Sequence, residues 1–116
     1  MLKVFIGFDP RQPIAYNVCR SSIERRTPDV IIHPLRLKNL PITRRGLTDF
    51  TFSRYLVPWL CNYEGYGIFL DSDMIVLDNL NKIPKGIETI SVVKNPGLKF
   101  EWSSMMLFNN IACKIL

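Results

Sequence analysis

Gly67-Ile68-Phe69-Leu70-Asp71-Ser72-Asp73-Met74 is the stretch on which the fold turns. Ile68, Phe69 and Leu70 form an apolar run too short for a helix. Turn residues precede it, in Asn62-Tyr63-Glu64-Gly65-Tyr66-Gly67, and Asp71 ends it. Such a run reads as a buried strand. It delivers two carboxylates, two positions apart, at the place where the strand ends. In open α/β sheets that end is where ligands bind.

Working outward, Leu2 to Phe8 is another apolar run, stopped by Gly7-Phe8-Asp9-Pro10. It predicts a buried first strand. Pro13 to Arg26 predicts a helix, because Pro13 suits the first turn and Arg25-Arg26 suit the last. Ile14, Val18, Ser22 and Ile23 fall on one face, with Ala15 and Cys19 beside them. Thr27-Pro28-Asp29 stops the helix. Val30 to Leu37, rich in β-branched residues, predicts a second strand. Strand, helix, strand across residues 2–37 is a βαβ pattern, which implies a parallel pair and a right-handed crossover.

Lys38 to Gly46 reads as a loop containing Pro41 and the Arg44-Arg45 pair. Thr51 to Leu60 reads as a helix with Phe52, Leu56, Trp59, Leu60 and Tyr63 on its apolar face. Pro58 should kink it or start a fresh turn. Met74 to Leu77 is an apolar run after the carboxylates. Thr89 to Val93 and Met105 to Phe108 predict two more strands, and Ile111 to Leu116 opens a further element. The fold class is therefore α/β, a mostly parallel sheet flanked by helices, with 1–116 as a single domain.

Composition narrows the function. The chain has 116 residues, 47% hydrophobic and 22% charged, which excludes a disordered tail. It contains no run of about 18 to 20 apolar residues, so no transmembrane span is expected. The opening segment meets Asp9 too soon for a signal peptide, and a cytoplasmic location is expected. The net charge is +5, from 15 basic and 10 acidic residues. That charge suits either phosphate-bearing ligands or ordinary solvated surface. No basic run or aromatic-basic repeat points to nucleic acid. Cys19, Cys61 and Cys113 are odd in number, widely spaced and in apolar contexts, so reduced core thiols are expected. His33 is the only histidine and lies in a strand, which favours a structural role and removes zinc and Cys-His chemistry.

The Asp71-Ser72-Asp73 pair has two readings from its residues. It can be a solvated acidic turn. It can also be a cation site, because two close carboxylates ionise together readily only beside a positive charge. Hard oxygen ligands suit Mg2+ or Mn2+, which bind through one or two carboxylates plus substrate phosphates.

At this point the chain resembles the GT-A fold glycosyltransferases, most closely those of the family 8 type. Four segments carry the resemblance: Lys3 to Asp9, Phe52 to Leu56, Phe69 to Val76, and Trp102 to Asn109. It implies a Rossmann-like nucleotide-sugar core whose Asp-x-Asp (DXD) motif holds Mn2+ or Mg2+ through Asp71 and Asp73. It implies that Asp9, Arg54, Asp71, Ser103 and Ser104 contact the donor, a nucleoside diphosphate sugar of the UDP type. It implies a metal-dependent hexosyltransferase that passes the sugar to a saccharide or other hydroxyl acceptor, with retention of linkage favoured. Arg54 would face the diphosphate, Asp9 the base or ribose, and Ser103 and Ser104 the sugar. Trp102 stands where the family usually has Asn. No residue is singled out as base or nucleophile, Glu101 included. The family carries an acceptor-side region with a metal-binding histidine further downstream, so 1–116 is expected to lack that region. An open sheet edge would then favour a homo-oligomer or partner chain.

Two alternatives share the motif. One is a non-catalytic, truncated nucleotide-sugar-binding module. The other is a haloacid-dehalogenase-type phosphatase, in which Asp71 would be the nucleophile, Asp73 the general acid and Mg2+ the cofactor. That motif normally opens the chain, whereas here a βαβ unit and a helix precede it.

Overall fold

A computed structural model of the chain describes residues 2–36, 53–83, 89–93 and 102–115. The loop expected at Lys38 to Gly46, together with Leu37, Thr51, Phe52, Glu101 and Leu116, lies outside the described residues.

Strand β1 (Leu2–Gly7) is followed by helix α1 (Pro13–Arg26) and strand β2 (Val30–Leu35). A 3-10 turn at Ser53–Leu56 runs into the short helix α2 (Val57–Leu60), and strand β3 (Tyr66–Leu70) follows. Strands β4 (Ile90–Val93) and β5 (Trp102–Asn109) complete the sheet, with short 3-10 turns at Leu80–Lys82 and Ala112–Ile115. Pro58 does start a fresh helical turn: it sits in the first turn of α2, directly after the 3-10 segment. Its missing N–H costs nothing at that position.

The five strands lie in the order β2-β1-β3-β5-β4. β1 pairs in parallel with β2 and with β3, while β5 runs antiparallel to both β3 and β4. Four strands therefore point one way and β5 the other. The sheet is mixed, with the βαβ unit on its parallel side.

Alternation along the strands builds a core on each face. Val4 and Ile6 of β1, Ile68 and Leu70 of β3, and Leu107 of β5 turn toward α1. Phe5, Phe69, Met106 and Phe108 turn the other way and pack with Val57, Cys61 and Cys113. All three cysteines are buried free thiols, as their apolar contexts implied.

One glycine fixes how α2 sits. A Cβ on Gly67 would stand 2.6 Å from Val57 Cγ1 and 3.2 Å from Cys61 Sγ. Only glycine lets α2 lie this close to β3. Beyond it, the Asn110 side chain donates to the Glu64 carbonyl at 2.8 Å, and the Asn110 backbone N–H donates to the Gly65 carbonyl at 3.0 Å. The turn before β3 is thus tied to the end of β5.

Two expected helix faces are corrected. On α1 the buried lane is Tyr16, Cys19, Ser22 and Ile23, whereas Ile14 is 75% and Val18 46% exposed. Tyr16 packs edge-on against Phe8, centroids 5.4 Å apart, and this contact rotates the helix away from the Ile14–Val18 lane. On α2, Val57 and Pro58 are buried and Trp59 is 51% exposed. The close approach at Gly67 brings Val57, not Trp59, to the sheet.

Candidate functional site

β1 and β3 are neighbours and parallel, with Ile6 opposite Leu70. Their C-terminal ends therefore open at one edge of the sheet, and Asp9 and Asp71 leave from that edge.

Phe69 and Asp71 are two residues apart, so both side chains point to the α2 face. Arg54, in the 3-10 turn before α2, meets both. Its guanidinium carbon stands 4.6 Å from the Phe69 ring centroid, and Nη2 donates to Asp71 Oδ1 at 3.3 Å. The Arg54 side chain is 11% exposed and that of Asp71 23%. The pair thus sits at the rim of the core rather than in open solvent.

Burial dominates the Asp71 carboxyl and pushes it up to about 6. The Arg54 guanidinium pulls it back down, and the Asp73 charge pushes it up again. At 3.3 Å an arginine normally depresses a carboxyl. Here lost hydration and a second negative charge outweigh it.

Asp73 lies one turn further on. The Met74 N–H donates to the Asp71 carbonyl at 3.3 Å, which closes a tight turn over Ser72 and Asp73. Ser72 is buried and Asp73 is exposed. The Asp73 charge also helps burial raise the Cys19 thiol of α1 to about 11. Asp71 and Asp73 thus leave the end of β3 two residues apart, in one tight turn.

Asp9 is buried at the end of β1, with both carboxylate oxygens taken by Arg11. Oδ1 accepts from the Arg11 backbone N–H at 2.9 Å and from Nε at 3.0 Å, and Oδ2 accepts from Nη2 at 3.0 Å. Hydrogen bonding to Arg11 holds this carboxyl below the ordinary range. The Arg11 side chain is 71% exposed. A donor group reaching Asp9 meets the arginine with it. Arg11 was missed in the sequence, although an Asp-x-Arg pair in a βα turn is a recognisable local clamp. The backbone of Ser103 and Ser104 belongs to β5, and their side chains lie outside the described residues.

The residues present suit a divalent cation. Among the described residues no cluster of three or more His, Cys, Asp or Glu side chains is placed to hold a metal. The protein supplies two carboxylates, Asp71 and Asp73, at the end of β3. Mg2+ and Mn2+ take such a partial set when phosphate oxygens complete the shell. Among the described residues no helix is long and apolar enough to cross a membrane.

Sheet order and flanking helices define an α/β fold that matches the GT-A glycosyltransferases. The glycosyltransferase GlyE of Streptococcus pneumoniae superposes with a TM-score of 0.70 at 18% identity, over 94% of this chain and 34% of that one. The bifunctional glycosyltransferase WbbM gives 0.73 at 16% identity, over 94% and 31%. The galactosyltransferase LgtC, solved with donor and acceptor sugar analogues, gives 0.66 at 12% identity, over 98% and 60%. In sequence the chain is similar to Protein CDI of Arabidopsis thaliana, 32% identical over 142 aligned residues. That alignment covers 92% of this chain and 52% of the plant protein, so the chain spans about half the length of the curated relative it matches. No family model matches the chain.

Proposed function

We propose that the chain is the donor-binding part of a glycosyltransferase. It binds a nucleoside diphosphate sugar, of the UDP type, together with Mn2+ or Mg2+ held by Asp71 and Asp73. The sugar passes to an acceptor hydroxyl. The observation that carries this reading is the placement of Asp71 and Asp73 at the C-terminal end of β3, with the Arg54 guanidinium 3.3 Å from Asp71.

The chemistry follows from where charge develops. Breaking the bond between the anomeric carbon and the diphosphate leaves electrons on the leaving oxygens. When bound, the metal would supply Lewis-acid stabilisation of that charge. Arg54, braced by Phe69 and Asp71, adds a fixed cation beside the same oxygens. The Asp9–Arg11 clamp offers a carboxylate and a guanidinium to the nucleoside end. Ser103 and Ser104 are assigned to the sugar by the family resemblance.

Thermal shift separates this reading from the two alternatives. A rise in melting temperature with UDP that requires Mn2+ supports it. No response to UDP, with phosphomonoester hydrolysis abolished by Asp71→Asn, would establish the phosphatase instead. A UDP and Mn2+ response without sugar transfer or donor hydrolysis by the full-length protein would leave a binding module.

A further inference from the structure

The segment after Asp73 pairs with no strand among the described residues, yet it is fixed. It crosses α1 as a strap over Met74–Leu80, with Val76 and Leu80 buried and Ile75 and Leu77 turned outward. Two hydroxyls hold its backbone. The Ser22 Oγ of α1 accepts from the Val76 N–H at 2.8 Å and itself donates to the Cys19 carbonyl at 2.7 Å. Thr27, the residue that caps α1, accepts from the Leu80 N–H at 2.8 Å through Oγ1. Ser22 is 6% and Thr27 1% exposed, so neither bond is easily replaced by water. The Thr27 backbone N–H is in turn tied to the Ile23 carbonyl at 2.8 Å.

We propose that Ser22 and Thr27 are positioning residues that clasp the strap to α1 and thereby set where the Asp73 carboxylate stands relative to Asp71. Asp73 belongs to a short turn, anchored upstream by β3 and downstream by this strap. Val76 and Leu80 supply apolar burial, which is not directional. The two hydroxyl acceptors fix register, because a hydrogen bond at 2.8 Å tolerates little sliding. Without them the strap can shift along α1 while keeping both apolar side chains buried, and Asp73 moves with it. The functional consequence rests on the reading of Asp71 and Asp73 as a metal and diphosphate site. The clasp itself does not.

The test uses the full chain with Ser22→Ala and Thr27→Val, each with its hydroxyl-restoring partner, Ser22→Thr and Thr27→Ser. Phe108→Leu, on the opposite face of the sheet, serves as a control for general destabilisation. Hydrogen exchange of the amides from Asp73 to Leu80, in metal-free protein, reads the clasp. Both hydroxyl-deleting variants should speed exchange through the strap and shift the Asp73 amide resonance. The restoring variants and Phe108→Leu should leave both near wild type. Titration with Mg2+ and UDP reads the consequence: affinity weaker by about 10-fold in Ser22→Ala and Thr27→Val, the scale expected when support behind a ligand is removed. Phe108→Leu should titrate like wild type.

Wild-type strap exchange and an unmoved Asp73 resonance in both deletion variants overturn the proposal, whatever binds. Faster exchange with unchanged Mg2+ and UDP affinity overturns positioning and leaves a merely structural clasp. If wild type binds no UDP with metal, the functional reading fails. The proposal then stands or falls on the Asp73 resonance alone.

Discussion

The Asp71 carboxyl makes stability depend on pH in an unusual direction. Burial raises it from its ordinary 3.8 to about 6. The unfolded chain loses this proton near its ordinary value and the folded chain only near the raised one. Between the two, the native state holds more protons, so stability falls as pH rises. The contribution is fully present below about pH 4 and is lost by the time pH passes about 6. At about 1.4 kcal/mol per pH unit the shift corresponds to at most about 3 kcal/mol. Solvent still reaches 23% of the side chain. Screening there reduces the realised loss to about 1–2 kcal/mol.

Neighbouring carboxylates do not mask the effect. Asp9 is held low by hydrogen bonds from Arg11, and Asp78 by the Asn79 N–H and Lys82. Depressed groups lose their contribution only as pH falls below about 4. Urea unfolding from about pH 4 to about pH 7 measures the slope, with a constant m-value as the check on two-state behaviour. Wild type should lose stability over this range and Asp71→Asn should be nearly flat. Parallel curves would refute the reasoning, because they would mean the buried carboxyl titrates at its ordinary value.

Three further outcomes follow from single contacts. Gly67→Ala drives a methyl into Val57 Cγ1 and should cost about 1–3 kcal/mol in urea unfolding, with Gly67→Ala/Val57→Ala recovering part of it non-additively. Additive losses in that double variant would show that the contact is not limiting. Arg54→Ala removes the downward pull of the guanidinium on Asp71, so the Asp71 midpoint should rise above about 6 in a carbon-detected pH titration. The same variant should lose on the order of 1–3 kcal/mol at neutral pH and less in acid, where the carboxyl is protonated. An unmoved midpoint would mean that the 3.3 Å contact carries no charge coupling.

The parallel half of the fold was legible because its signals are local. Leu2–Gly7, Pro13–Arg26 and Tyr66–Leu70 each carry an apolar period and a punctuating Pro, Gly or Asp within a few residues. The antiparallel placement of β5 was not legible, since pairing Leu70 with Met105 is a long-range choice with no signature in either strand. The α1 face was legible at Cys19, Ser22 and Ile23, which are buried, and misread at Ile14 and Val18, because the helix carries two lanes. Ile14–Val18 is the more apolar, but Tyr16, Cys19 and Ile23 are the ones that meet Phe8 and the sheet.

The site divides the same way. Asp71 and Asp73 announced themselves by following a buried strand. Arg54 was singled out by resemblance, and the structure seats it on Phe69 and Asp71. Arg11 and the hydroxyls of Ser22 and Thr27 did not stand out. Ser22 and Thr27 act on amides 54 and 53 residues away, a distance at which sequence pattern says nothing.

The central claim is that Asp71 and Asp73 hold a divalent cation for a nucleoside diphosphate. Calorimetry of UDP binding, with and without Mn2+, in wild type and Asp73→Ala, tests it most directly. The account predicts binding that requires Mn2+ and disappears in the variant. UDP binding that is indifferent to Mn2+, or equal in Asp73→Ala, would contradict it.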